Sequence, residues 1–182
     1  HEILVHLPME PSSETIDPGP NAMLSGLTPE VLAERLAWNL SQFDGFVGVN
    51  NHMGSRFTSD AATMRPVLEE LNRRGLLFLD SRTAPNTVGY RMARDLGMPA
   101  LQRDVFLDNT DNHDAVAKQL SETEQQASKY GQAIAIGHPR DATLDMLELW
   151  IEDVQARGFV LVPLTAMLKP VPPPATAGLP IR

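Results

Sequence analysis

The 182-residue chain is long enough for one domain with a substantial core, and its 42% hydrophobic and 21% charged residues are typical of a globular protein. Its 23 acidic and 15 basic residues give a net charge of -8 without a basic stripe, which argues against nucleic acid and anionic membrane surfaces as partners. The absence of cysteine excludes disulfides and thiolate sites, and the absence of an apolar run of about 18 residues predicts no membrane span.

The predicted elements are short apolar strands alternating with amphipathic helices. A loop from about Pro8 to Leu27 is longer than a connection needs, which favours a functional role for it. Thr28 and Pro29 are typical of a helix start, and Asp60 caps a second helix. In chain order we predict a strand at 3–7, a helix at 29–43, a strand at 46–49, a helix at 60–74, a strand at 76–80, a helix at 88–96, a strand at 102–107, a helix at 112–130, a strand at 133–136, a helix at 141–157 and a strand at 159–162.

This alternation predicts an α/β fold of parallel βα units, arranged either as a barrel or as an open doubly wound sheet. In both architectures the functional residues lie just beyond the carboxyl ends of the strands. Beyond the last predicted strand, residues 169–182 are rich in proline and are predicted to form an extended tail.

Titratable and polar side chains follow most of the predicted strands. Each has an ordinary structural explanation, such as a turn cap for Asp80, but their convergence on one rim favours a functional site. Imidazoles and carboxylates together suit a zinc-like ion and metal-assisted hydrolysis, and His138 could protonate a leaving group. The residues concerned are His6, Glu10, Asn50, Asn51, His52, Asp80, Ser81, Arg82, Asp104, Asp108, His138 and Thr165.

Five ordered segments resemble the divergent polysaccharide deacetylase family over residues 1 to about 168. They are LVHLPMEP (Leu4 to Pro11), GVNNHMGSRFT (Gly48 to Thr58), GLLFLDSRT (Gly75 to Thr83), RDVFLDN (Arg103 to Asn109) and AIAIGHP (Ala133 to Pro139). The resemblance implies one domain over residues 1–168, folded as a distorted (β/α) barrel of parallel strands. It also implies a carbohydrate substrate, a divalent metal, for which zinc is expected, and a periplasmic or cell-envelope location.

The resemblance also implies roles for individual residues. His52 matches the first metal-binding histidine of the family, whereas Arg56 stands where the second is usual, so His6 is expected to substitute as a ligand. His138 matches the general acid, and Arg82 and Asp104 match an arginine and its supporting aspartate that would orient it. The expected substrate contacts are Asn51, Glu10 and Asp80.

The family normally carries an Asp-Asp pair on a strand that precedes the LVHLPMEP segment. This chain starts after that strand, so we expect either an upstream segment that supplies the pair or a protein without the usual base. Without that strand the barrel would have an open seam with unpaired edges, which predicts contact with another copy, another segment or a partner.

Three functions are compatible with these residues. The first is a metal-dependent hydrolase that removes acetyl groups from an N- or O-acetylated carbohydrate. The second is a non-catalytic carbohydrate-binding or envelope-assembly protein that keeps the deacetylase fold. A sugar-phosphate enzyme ranks last, because the sequence has no basic phosphate-binding cluster.

Overall fold

The computed structural model describes residues 1–168, so the predicted tail at 169–182 lies outside the described residues. Within this range, six strands alternate with five helices, as an α/β fold requires. The elements are β1 (Leu4–Met9), α1 (Pro29–Leu40), β2 (Gly48–Met53), α2 (Ala61–Arg73), β3 (Leu77–Asp80), α3 (Gly89–Asp95), β4 (Ala100–Gln102), β5 (Val105–Phe106), α4 (His113–Tyr130), β6 (Ala135–Ile136) and α5 (Asp141–Ala156), with 3₁₀ turns at Phe57–Ser59 and Leu164–Met167.

All the strand pairs are parallel, which confirms the predicted fold class. One sheet has the order β1-β2-β3-β4, and β5 pairs with β6 in a second sheet. The register places His6 beside Asn50 and Pro8 beside His52, and Asp80 beside Gln102 at the ends of their strands. The carboxyl ends of β1, β2 and β3 therefore meet at one edge, where the sequence predicted the functional residues.

The strand predicted at residues 102–107 is wrong as a single element, because the chain changes partners in its middle. The Arg103 N–H still donates to the Asp80 carbonyl of β3, whereas the N–H groups of Asp104 and Val105 both donate to the Ile134 carbonyl. The segment therefore divides into β4 and β5, one in each sheet. The apolar pattern reveals burial but not which neighbour accepts each backbone hydrogen bond.

The main core lies between the four-stranded sheet and helices α1 to α3. One face of α2, formed by Met64, Val67, Leu68 and Leu71, is fully buried. These residues follow the spacing of one helical face, so the four side chains reach the core together. Phe78 of β3 belongs to the same buried cluster.

The strand predicted at residues 159–162 is also wrong, since the structure assigns this segment no strand. Val160, Leu161 and Val162 are exposed, although their apolar character resembles that of the buried strands. A strand requires a partner ladder, which hydrophobicity cannot supply. Among the described helices, none combines the length and the apolar character needed to cross a membrane.

Candidate active site

A cleft of about 430 Å³ opens at the carboxyl ends of the strands. It gathers four residues that the sequence predicted as catalytic or metal-binding: His6, His52, Arg82 and His138. A larger cavity of about 610 Å³ is lined by other residues, including Ile134, Trp150 and Leu161, and contains none of the histidines. The residues around the cleft are His6, Asn51, His52, Met53, Ser81, Arg82, Thr83, Arg103, Phe106, Asn109, Ile136 and His138.

Two histidines from adjacent strands contact each other in this cleft. Nε2 of His6 lies 3.1 Å from Nδ1 of His52, and the two rings meet edge to face with centroids 4.8 Å apart. His6 Nδ1 lies 3.1 Å from Oδ1 of Asn50, whose amide nitrogen donates to Ser81 Oγ. If Asn50 Oδ1 accepts from His6 Nδ1–H, then in the neutral ring Nε2 of His6 is an acceptor and His52 Nδ1–H donates to it. This arrangement leaves His52 Nε2 with a free lone pair.

Partial burial in the cleft lowers the pKa of both rings. For His6, desolvation is the largest cause, the hydrogen bond with Asn50 opposes it, and the charges of His52 and His138 lower the pKa further. For His52, desolvation acts together with the charge of His138. Both imidazoles are therefore neutral at pH 7, which is the form that binds metal ions.

The pair has the chemistry of a metal site but supplies only part of one. Zinc bonds of about 2.0–2.1 Å in a tetrahedral arrangement separate two nitrogens by roughly 3.3 Å, which is close to the 3.1 Å between His6 Nε2 and His52 Nδ1. An ion held by these two nitrogens would replace the proton between them, and His52 would then carry its proton at Nε2. Within residues 1–168, however, no group of three or more His, Asp or Glu side chains is arranged to hold an ion. His6 and His52 therefore offer two ligands of a site that ordinarily needs at least three.

A buried carboxylate orients the third histidine of the cleft. Asp108 follows β5 and has 1% of its surface exposed. Its carboxylate accepts from the backbone N–H of His138 at 2.5 Å, from the His138 ring at Nδ1 at 3.0 Å and from the Thr143 hydroxyl at 3.2 Å. Burial raises the pKa of Asp108, but these hydrogen bonds and the charge of His138 outweigh it, and the pKa is lowered overall. The bond at Nδ1 fixes the ring and leaves Nε2 free for proton transfer.

The prediction that Asp104 and Arg82 orient His138 is corrected by these contacts. Asp104 is exposed, and its carboxylate accepts from the Ile134 backbone N–H at 2.8 Å. Arg82 lines the cleft without a hydrogen bond to His138 among the described residues. The sequence named Asp108 as a strand-end residue but gave it no role. Asp108 follows β5, whereas Asp104 precedes it, and this position at the carboxyl end of the strand was the signal that could have favoured Asp108 as the partner of His138.

Two of the predicted substrate contacts hold the strand ends together. Asn51 is buried, and its side chain accepts from the Ser81 backbone N–H at 2.8 Å and donates to the Met53 carbonyl at 2.8 Å. Glu10 accepts from the Ser25 backbone N–H at 2.6 Å, which fastens the long loop, and it lies 3.6 Å from the exposed Arg56. Asn51 reaches the cleft wall, whereas Glu10 lies outside it.

Asp80, the third predicted substrate contact, is completely buried. One carboxylate oxygen accepts from the Arg82 backbone N–H at 2.8 Å. The other accepts from the Thr87 hydroxyl at 2.8 Å and from the Tyr90 backbone N–H at 2.9 Å, at the start of α3. These bonds account for the aspartate and leave it no surface for a substrate.

Comparison with known proteins identifies relatives of the whole described region. A sequence model of the divergent polysaccharide deacetylase family matches residues 1–168. The uncharacterized protein YibQ of Escherichia coli is 36% identical over 149 residues, covering 81% of this chain and 46% of that protein. An uncharacterized protein of Haemophilus influenzae is 35% identical over 163 residues, covering 87% of this chain and 58% of its own length. The chain thus spans about half the length of the curated relatives it matches.

A solved structure has the same fold. The crystal structure of the uncharacterized protein ATU2773 from Agrobacterium tumefaciens superposes with a TM-score of 0.88 at 29% sequence identity. The match covers 91% of this chain and 68% of that one. The arrangement of strands and helices is therefore shared over nearly the whole described region.

Proposed function

The chain belongs to the divergent polysaccharide deacetylase family, and from this membership and the cleft we propose that it removes acetyl groups from an N- or O-acetylated carbohydrate. The observation that carries the proposal is the contact between buried Asp108 and half-exposed His138. A carboxylate fixed at Nδ1 supports a ring that gives up a proton at Nε2, as general acid catalysis requires. The cleft also contains the neutral pair His6 and His52.

In the proposed reaction, water gives one proton to a base, for which we propose an aspartate of the upstream Asp-Asp pair, and adds to the acetyl carbonyl. The bond from carbon to nitrogen or oxygen then breaks. His138 donates its Nε2 proton to the leaving amine or alkoxide. Asp108 stabilises the protonated ring before that transfer and holds it in place afterwards. The products are acetate and the deacetylated sugar.

We propose that a divalent metal, zinc in the first instance, binds at His6 and His52. When bound, such an ion polarises a carbonyl and lowers the pKa of a coordinated water. Because two imidazoles are an incomplete set, a further ligand is part of the proposal. The proposed setting is the periplasm or cell envelope, and both it and self-association remain predictions.

Zinc binding tests the role of the two histidines. The protein is incubated with zinc, freed of excess ion and measured by elemental analysis beside the variant His52→Ala. We expect bound zinc in the wild type and a loss of at least about tenfold in affinity for the variant, because each ligand contributes strongly to binding. His113→Ala is the control, since His113 bonds Asp145 outside the cleft. Equal and negligible bound zinc in the wild type and in His52→Ala would contradict the metal proposal.

Acetate release tests the reaction itself. N-acetylated chitooligosaccharides and peptidoglycan fragments are incubated with the wild type and with His138→Ala. We expect the variant to be slower by roughly 10²–10⁴-fold, the usual contribution of a positioned general acid. Release at the same rate from both proteins contradicts the assignment of His138.

The incomplete ligand set within residues 1–168 favours one alternative, a non-catalytic carbohydrate-binding or envelope-assembly protein. The same oligosaccharides separate the two functions. Binding of these sugars without acetate release, at any zinc concentration, supports the alternative.

A further inference from the structure

The charge of the cleft is opposite in sign to the charge of the chain. The chain carries eight more acidic than basic residues, yet none of the twelve residues lining the cleft is acidic. Two of the twelve, Arg82 and Arg103, are arginines, and three are histidines. The nearest carboxylates lie behind the cleft lining: those of Asp80 and Asp108 are buried in hydrogen bonds, and that of Asp104 accepts from the Ile134 backbone N–H.

Arg103 is anchored as a fixed positive charge in the cleft wall. Its Nε donates to the Ser81 carbonyl at 2.7 Å and one terminal nitrogen donates to the Arg82 carbonyl at 2.8 Å. The guanidinium also lies over the Phe106 ring, 5.0 Å from its centroid. Burial is the largest cause that lowers the pKa of Arg103, the charge of Arg82 lowers it further, and the charges of Asp80 and Asp104 oppose this. Arginine nevertheless stays protonated at neutral pH, so the wall keeps its charge.

Arg82 is held at the cleft in a strained backbone conformation. Its φ is +50°, a region that a residue with a Cβ rarely adopts, and Met53 across the cleft has a φ of +51°. The Asp80 carboxylate bonds the Arg82 N–H and Arg103 bonds the Arg82 carbonyl, so both sides of this residue are fixed. Strain of this kind persists where the surrounding structure enforces it, and it concentrates at functional sites.

Within residues 1–168, neither the Arg82 nor the Arg103 guanidinium has an ion-pair partner. The two positive charges also repel each other. The nearest carboxylates, Asp80 and Asp104, offset part of this charge, but both accept backbone N–H groups and neither lines the cleft. The cleft side of the two guanidinium groups is therefore suited to a ligand that brings its own negative charge.

We propose that the carbohydrate bound in this cleft carries an oxyanion, a carboxylate or a phosphate, which Arg82 and Arg103 bind beside the acetyl group. This inference rests on the proposed function, because it names the substrate class of the same site. Arg82 is here a specificity-determining residue and has no role in proton transfer. Neutral acetylated sugars are expected to bind weakly, since they leave the two charges unpaired.

Matched sugars test this inference by direct binding. N-acetylmuramic acid and N-acetylglucosamine differ by a lactyl carboxylate, and a phosphorylated N-acetylglucosamine provides the other oxyanion. By calorimetric titration at low salt, we expect at least one acidic sugar to bind about tenfold more tightly than N-acetylglucosamine, or about 1.4 kcal/mol. Which acidic sugar shows the preference identifies carboxylate or phosphate. The preference should decrease as salt is added, because salt screens the charges.

Variants assign the preference to the arginine. Arg82→Gln should remove the preference for acidic sugars, and Arg82→Glu should reverse it. Arg91→Gln on the exposed face of α3 is the control and should keep the wild-type preference. Thermal unfolding of each variant checks that the fold is intact.

The outcomes separate this inference from the proposed function. Equal binding of acidic and neutral sugars, binding of neither, or a preference that persists in Arg82→Gln each overturns the inference. Acetate release from neutral oligosaccharides together with equal binding leaves the deacetylase proposal standing alone. An acidic preference without release from any acetylated sugar supports the inference and contradicts the deacetylase.

Discussion

Replacing Asp108 by asparagine tests the central contact of the site, because it keeps the shape of the side chain and removes its charge. Asp108 accepts three hydrogen bonds, two from His138 and one from Thr143. Hydrogen bonds to a charged group contribute about 1.5–3 kcal/mol each, against about 0.5–1.5 for neutral groups. Losing roughly 1 kcal/mol on each bond, less the lower desolvation cost of the neutral amide, gives an expected loss of about 1–3 kcal/mol.

The activity of Asp108→Asn should decrease more steeply than its stability. The amide can donate to His138 Nδ1 and hold the ring with its proton at Nε2, but it cannot support a protonated ring. The neutral ring, even with its proton at Nε2, cannot serve as the general acid. We therefore expect acetate release to decrease by roughly 10²–10⁴-fold.

Urea unfolding as a function of pH checks the origin of the stability loss. The pKa of Asp108 is lowered in the folded protein, so its charge stabilises the fold above the unfolded-state pKa of about 3.9. That contribution is lost as the pH falls through the lower folded-state pKa. The difference between wild type and Asp108→Asn should therefore be largest near pH 7 and should shrink at acidic pH.

Asp104→Asn is the matched control for Asp108→Asn. Asp104 is exposed and accepts one backbone hydrogen bond, which the amide oxygen of asparagine can also accept. We expect a loss below about 1 kcal/mol and little change in acetate release. Wild-type stability and full activity in Asp108→Asn, or a larger effect in Asp104→Asn, would refute the reasoning.

Two further predictions concern backbone strain and the histidine pair. Gly54→Ala should lose about 2–4 kcal/mol in thermal unfolding, because φ is +88° and a Cβ would lie 2.8 Å from Met9 Cβ. Gly131→Ala, at a φ of +83° with open space around it, should lose only about 1 kcal/mol, and equal losses would contradict the packing argument. For His6, whose pKa is lowered from 6.5, the neutral ring stabilises the fold above that pH and the contribution is lost as the pH falls. In urea unfolding, His6→Asn should therefore lose less stability than the wild type between about pH 7.5 and pH 5, and identical pH profiles would contradict this cause.

Local chemistry determined much of the secondary structure. Thr28 and Asp60 each accept a backbone N–H at a helix start, as the sequence predicted, and Asn112 does the same at the start of α4. The left-handed Gly131 ends α4 directly after the helix predicted at residues 112–130. These features depend on neighbours within a few residues, so a single sequence reveals them.

Hydrogen-bond partners between distant segments were not predictable in the same way. The apolar run at residues 159–162 has the composition of a strand, yet the structure assigns it none. The run at residues 102–107 divides between two sheets because its partners change at Asp104. Pairing of this kind depends on which edge each segment meets after folding.

The sequence by itself indicated that three histidines would meet on one rim, because parallel βα units align all their strands. Only His138 follows its strand, however, since His6 and His52 lie within β1 and β2. Only the tertiary structure decided which residue acts on which. It placed Asp108 rather than Asp104 against His138, buried Asp80 among backbone donors, and brought Arg82 and Arg103 to one wall of the cleft. The reason is physical: strand order and register set the distances between side chains of different strands. The spacing of residues along the chain determines neither the order nor the register.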